Sequence, residues 1–114
     1  MPNPIVHFEI VGKDGKRLQD FYGSLFDWKV DANNEWNYGM VDTEAGGING
    51  GIGPTMDGVA RVTVYAQVPD LQVYLNKAEK LGGKTIMPPT EIPGAVTMAM
   101  FTDPEGNVMG MIKG

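Results

Sequence analysis

The chain has 114 residues, 42% of them apolar and 20% charged, with a formal net charge of −5. That length fits one domain with its own core, and the absence of cysteine excludes disulfide scaffolds, thiolate metal sites and cysteine nucleophiles. The one histidine, His7, excludes any site needing two imidazoles from one chain, and the nine Lys and Arg are too scattered to hold nucleic acid or an anionic membrane.

No apolar run approaches the ~18 residues of a membrane span. The start Met-Pro-Asn-Pro-Ile-Val-His lacks the basic and long apolar regions of a secretory leader. The expected location is cytoplasmic.

Ile5 to Val11 alternates as a strand, with Val6, Phe8 and Ile10 on one face and His7, Glu9 and Val11 on the other. Asp14 can cap a helix running to about Asp27. Leu18, Phe21, Tyr22, Leu25 and Phe26 form its expected core stripe. Strands are expected at Trp28–Ala32, Trp36–Thr43 and Gly47–Gly53, with turns between them. Arg61–Val68 is again a strand. Asp70 can cap a second helix with Leu71, Tyr74, Leu75, Ala78 and Leu81 inward, and Gly82-Gly83 ends it. Strands at Thr85–Met87, Val96–Thr102 and Asn107–Ile112 follow, the last two joined by the turn Asp103-Pro104-Glu105-Gly106-Asn107.

The halves match at an offset of 56: Val6 to Val11 lies over Val62 to Gln67, Asp14 over Asp70, Leu25 over Leu81. The offset later becomes 61, and the five extra residues fit around Pro93-Gly94. The expected fold is α+β: two βαβββ modules, about residues 4–53 and 60–113, in a single domain. Each helix covers one sheet face, so the other faces would curl into a cup, where function is to be sought.

The repeated plan, the stretch Asp20-Phe21-Tyr22-Gly23-Ser24-Leu25-Phe26-Asp27-Trp28-Lys29 and the ending Asp103-Pro104-Glu105-Gly106-Asn107-Val108 resemble the glyoxalase, bleomycin-resistance and extradiol-dioxygenase superfamily, the vicinal oxygen chelate proteins. The glycine-rich Gly46 to Gly53 resembles small glyoxalase-related members without a settled activity. The resemblance implies a cup-shaped mixed sheet and, in metal-dependent relatives, an ion held by His or Gln, Glu, His and Glu from four strands. Those positions align here with His7, Asn49, Thr63 and Gly110.

That set has one imidazole, an amide, a hydroxyl and a glycine, so the expectation is no metal and no cofactor. His7 could act as a general base oriented by Glu9, or simply be a hydrogen-bonding pocket residue. The expected ligand-binding cup comprises His7, Glu9, Asn49, Thr63, Tyr65, Gln67 and Gly110. Tyr65 could equally be packing at a module junction. The glycines at 46–53 lack the Lys-Ser or Lys-Thr ending and the helix of a phosphate loop; they leave room for a ligand or another backbone. Met109 and Met111 are expected to face the helix as core. Trp36 beside Tyr38 suits either a ligand lid or a dimer contact.

Three functions remain open on these residues. The first is a glyoxalase-like protein that binds a small molecule without a catalytic metal. The second is a metal-dependent lyase or dioxygenase using His7 and Glu9. The third is a drug-sequestering protein of the bleomycin-resistance kind. Exposed module edges make a homodimer the expected assembly.

Overall fold

The computed structural model describes residues 2–92 and 95–114. Met1 and the insertion placed at Pro93-Gly94 lie outside the described residues. The element order is β1 (Ile5–Gly12), α1 (Gly15–Phe26), β2 (Lys29–Asp31), β3 (Gly39–Asp42), β4 (Gly50–Pro54), β5 (Arg61–Val68), α2 (Leu71–Lys80), β6 (Lys84–Glu91), β7 (Thr97–Thr102) and β8 (Val108–Lys113). The fold is α+β, and βαβββ occurs twice, as the sequence repeat requires. The residues gather into two compact units, one of His7–Thr63, the other of Val64–Gly114 with the N-terminal residues up to Val6. Among the described residues no helix is long and apolar enough to cross a membrane.

In the first module the strands run in the order β2-β3-β4-β1. β1 and β4 are parallel, with Glu9 opposite Gly51, and the other two pairings are antiparallel. Ile10, Val41 and Ile52 form the core with Phe8, Leu18, Tyr22, Trp28 and Val30 around them. The even residues of β1 therefore pack under α1, which leaves His7 and Glu9 on the opposite face, as the alternation predicts. The Asp14 carboxylate accepts from the Arg17 amide at 3.0 Å and caps α1. The helix ends at Asp27, which takes a left-handed φ of 56°.

The expected core stripe of α1 is corrected. Leu18 and Tyr22 pack inward, but Phe21, Leu25 and Phe26 are 57%, 58% and 53% exposed. The helix turns Gly15 and Gln19 to the sheet instead. A Cβ on Gly15 would stand 2.6 Å from the Pro54 nitrogen, so the helix lies too close for any side chain there. Gln19 Nε2 donates to the carbonyls of Asn37 and Ile52 at 2.9 and 2.8 Å. The Ile52 carbonyl is buried there and needs a donor, and an apolar residue at position 19 would leave it unsatisfied. With Gly15 and Gln19 against the sheet, Phe21 and Leu25 are left exposed, and Phe26 stays half exposed beside Tyr22 and Trp28.

Two strands begin later than expected. β3 starts at Gly39 rather than Trp36, and β4 at Gly50 rather than Gly47. Residues 33–38 form a loop held by Asn34.

In the second module the order is β5-β8-β7-β6, with β5 and β8 parallel and the rest antiparallel. Val68, Leu71, Leu75, Ala99 and Met111 form its core with Tyr74 and Phe101. The Asp70 carboxylate accepts from the Val73 amide at 3.1 Å and caps α2. Gly82 with φ 101° ends it, and the Gly83 amide donates to the Ala78 carbonyl. Leu81, expected inward, is the helix C-cap and is 70% exposed. β6 does not stop at Met87. It continues through Pro88-Pro89 to Glu91, with two register shifts. Proline lacks a ladder donor and is tolerated because β6 stands at the end of the strand order. The β7–β8 turn is built as expected: Asp103 Oδ1 accepts from the Glu105 and Asn107 amides, both at 2.9 Å.

Candidate functional site

The site is assembled around Tyr38, the last residue of the 33–38 loop. Asn34 Oδ1 accepts from the Trp36 amide at 3.1 Å and the Tyr38 amide at 3.0 Å, and its Nδ2 donates to the Tyr38 carbonyl at 2.7 Å. The Asn37 carbonyl is held by Gln19. The backbone before the ring is thus tied to the loop and to α1.

The Tyr38 ring lies across β4 on the face away from the helix. A Cβ on Gly51 would coincide with the phenol, and one on Gly53 would stand 3.1 Å from the ring. Gly50, on the other face, makes room for the Phe8 ring. The bare strand is therefore filled from both sides by this chain's own aromatics. Because Gly51 pairs with Glu9, the phenol that crosses Gly51 arrives at β1. There its hydroxyl donates to Glu9 Oε2 at 3.0 Å. His7 Nε2 lies 3.0 Å from the same hydroxyl oxygen. The two rings are 6.5 Å apart and nearly parallel, at 19°.

Proton counting fixes the roles. The phenol has one hydrogen and gives it to the carboxylate. The Tyr38 oxygen is then the acceptor for His7, so Nε2 carries the hydrogen and Nδ1 carries the lone pair. Burial lowers the His7 pKa, and the Glu9 carboxylate opposes that shift without cancelling it. The ring is neutral at pH 7. Any imidazolium formed there would have a carboxylate one hydroxyl away.

The other expected site residues are distributed differently. Asn49 is exposed, and its Oδ1 accepts from the Thr43 amide and hydroxyl at 3.1 and 3.3 Å, closing the β3–β4 turn. Thr63 is buried, and its hydroxyl has no hydrogen-bond partner among the described residues. Tyr65 is buried with its ring against Gly110, where a Cβ has no room. Gln67 lies with its side chain against Gly114 and is bonded through its backbone to Asn3 and Pro4. His7 and Glu9 are thus brought together, but through Tyr38, which sequence reasoning did not assign to them. The signal was there in Gly51 and Gly53: alternate glycines on one strand face need an occupant, and a tyrosine stood one hairpin away.

The residues at the metal-ligand positions of metal-dependent relatives do not fit a divalent ion. His7 Nε2 is engaged by Tyr38, Asn49 by its turn, Thr63 offers a neutral hydroxyl and Gly110 nothing. No group of three or more His, Asp or Glu side chains gathers into a donor set among the described residues.

Residues 4–110 match the family model described as Glyoxalase/Bleomycin resistance protein/Dioxygenase superfamily. A candidate glyoxylase, CFP32, from Mycobacterium bovis is 31% identical over 78 residues, which are 68% of this chain and 30% of that protein. The chain thus spans less than a third of that relative's length. Among solved structures, the protein BH1468 from Bacillus halodurans superposes with a TM-score of 0.74 at 11% identity, covering 100% of this chain and 96% of that one. A glyoxalase/bleomycin resistance protein/dioxygenase superfamily member from Vibrio splendidus gives 0.66 at 11% identity, covering 99% and 100%. At such identities the structural likeness bears on the fold alone.

Proposed function

The chain belongs to the Glyoxalase/Bleomycin resistance protein/Dioxygenase superfamily, and from that premise we propose that it binds a small molecule at His7 without a catalytic metal, with His7 as the proton acceptor. The observation that carries this reading is the Tyr38 hydroxyl standing 3.0 Å from both His7 Nε2 and Glu9 Oε2. A metal site spends the imidazole on an ion. Here the Nε2 edge is spent on a phenol whose own proton goes to a carboxylate. That arrangement fixes the tautomer and stabilises the cation once a proton is accepted, while burial favours the neutral ring beforehand. A ligand that uses it presents an O–H, an N–H or an activated C–H to the ring. The carboxylate of Glu9 disfavours an anionic group in the same place.

Chelator-treated protein titrated with small hydroxy and carbonyl compounds should show ligand-dependent shifts of the His7 ring resonances. Tyr38→Phe and Glu9→Gln should each weaken binding by about tenfold, the effect of losing a charge-assisted hydrogen bond. Two results overturn the reading: one metal ion per chain that His7→Ala removes, or binding indifferent to both substitutions.

A further inference from the structure

The β3–β4 turn holds a reactive pair that neither the fold nor the proposed ligand site uses. Asn49 alone among the asparagines is followed by a glycine. The nitrogen of a following residue can attack a side-chain amide carbon, and glycine, having no Cβ, hinders that approach least. Asn49 is exposed, so water reaches it. Its backbone carbonyl accepts from the Phe8 amide of β1 at 3.4 Å. A trans peptide sets its N–H opposite its C=O, so the Gly50 N–H points the other way, toward β3. The Asn49 side chain reaches in that same direction. Its Oδ1 accepts from the Thr43 amide at 3.1 Å and from the Thr43 hydroxyl at 3.3 Å. Nucleophile and amide carbon therefore lie on one side of the chain. Two donors on Oδ1 also draw electron density from that carbon and meet the oxyanion that attack creates. Other positions lack one of these parts. Asn3 precedes a proline, which has no N–H, and Asn76 lies within α2. Asp57 precedes Gly58, but the Arg61 guanidinium at 2.7 Å holds its carboxyl well below the usual carboxylate range, and a carboxylate is a poor target for an amide nitrogen.

We propose that Asn49 is a site of spontaneous deamidation, promoted by the two Thr43 donors on its amide oxygen. The Gly50 nitrogen bonds to Asn49 Cγ and gives up its proton. The Cγ–Nδ2 bond breaks, and Nδ2 leaves as ammonia. One water then opens the five-membered succinimide. Opening at Cγ leaves an aspartate in a normal backbone. Opening at the backbone carbon leaves an isoaspartate, whose chain runs through the former side chain and is one methylene longer. Water is consumed and ammonia released, with no oxidant or reductant. The two products differ in what they do to β4. The aspartate keeps the turn, because a carboxylate accepts from the same two Thr43 donors. The isoaspartate lengthens the backbone just ahead of Gly50 and Gly51, whose vacant Cβ positions are filled by Phe8 and Tyr38. It thereby displaces the Tyr38 phenol from His7 and Glu9. The proposal does not depend on what His7 does.

Mass spectrometry of the whole chain, aged for weeks at mildly alkaline pH and then digested, tests it. The peptide holding Asn49 should exchange its amide for a carboxyl before any other asparagine peptide does, and should separate chromatographically into aspartate and isoaspartate forms. Thr43→Val should slow that exchange about tenfold, the effect of one lost hydrogen bond. Thr43→Ser keeps the hydroxyl and should convert at the wild-type rate, with circular dichroism checking that both variants fold. In urea the three chains should convert alike, because the turn is gone. Aged protein carrying isoaspartate should show displaced His7 ring resonances, and protein carrying aspartate should not. An Asn49 that keeps its amide while another asparagine converts overturns the proposal. So does a folded Thr43→Val that converts as fast as the wild type or faster, because the Thr43 contact then restrains the amide instead of activating it.

Discussion

Tyr38 reaches two β1 side chains because three residues with no chemistry of their own let it. Gly51 vacates the space, Asn34 fixes the backbone amide and carbonyl, and Gln19 holds the carbonyl just before it. Gly51→Ala should destabilise the fold by about 1–3 kcal/mol, the cost of overpacking. It should also move the His7 ring resonances, since the phenol must leave; unchanged His7 resonances would show that the ring does not lie on Gly51. Asn34→Ala should shift the His7 titration upward toward its ordinary ~6.5, because a loosened loop lets water reach the ring. The pH dependence has a definite sign. The folded His7 pKa lies below the unfolded value, chiefly through burial. The unfolded chain therefore binds the extra proton first, so stability is full above about 6.5 and falls as pH drops through the folded pKa. Urea midpoints across that window should fall in the wild type and stay flatter in His7→Gln. The His7–Glu9 pair was legible because strand alternation is a local rule. Tyr38 was not, because its partners are 31 and 29 residues away in sequence and only the strand register brings them together.

Among the elements, α1 separates what hydrophobicity predicts from what packing requires. Its start and end are legible in Asp14 and Asp27, since capping is written in neighbouring residues. Its rotation is not. Five large apolar residues mark one side, yet the side that faces the sheet is set by Gly15 and Gln19. The buried Ile52 carbonyl and the part-buried Asn37 carbonyl, both satisfied by Gln19, outweigh exposed aromatic surface. Gln19→Leu should therefore cost about 1–3 kcal/mol in urea unfolding, the penalty for stranding the buried Ile52 carbonyl. Leu25→Ala, more than half exposed, should change monomer stability by about 0.5 kcal/mol or less. The opposite ranking would mean that α1 packs through its aromatic side. The second module holds fewer surprises because Leu71 and Leu75 are apolar where the helix meets its sheet, and pattern and packing agree. Its one extended element, β6, outruns its apolar signal because an end strand tolerates prolines.

For the whole molecule, the duplicated βαβββ plan was legible from helix caps recurring at an offset of 56 and turn residues at 61. The plan fixes which strands stand where the family's ligands do and leaves the side chains there open. In this chain those side chains are a phenol-bound imidazole, a turn-closing amide, a hydroxyl and none. Linkage turns this into a measurement on the intact protein. A site with a micromolar Kd would stabilise the fold by about 4 kcal/mol at a thousandfold excess of metal, since the ion binds the native state alone. Zn, Ni, Fe and Mn salts added to chelator-stripped protein should leave the urea midpoint unmoved within error. A bound divalent ion would have to surrender hydration for one imidazole and neutral oxygens, and it would first have to break the His7–Tyr38 contact. The expected flat response therefore rests on both charge and geometry. A midpoint that climbs with metal, and does so in Tyr38→Phe but not in His7→Ala, would show that Nε2 leaves the phenol for an ion. The metal-free reading would then fall.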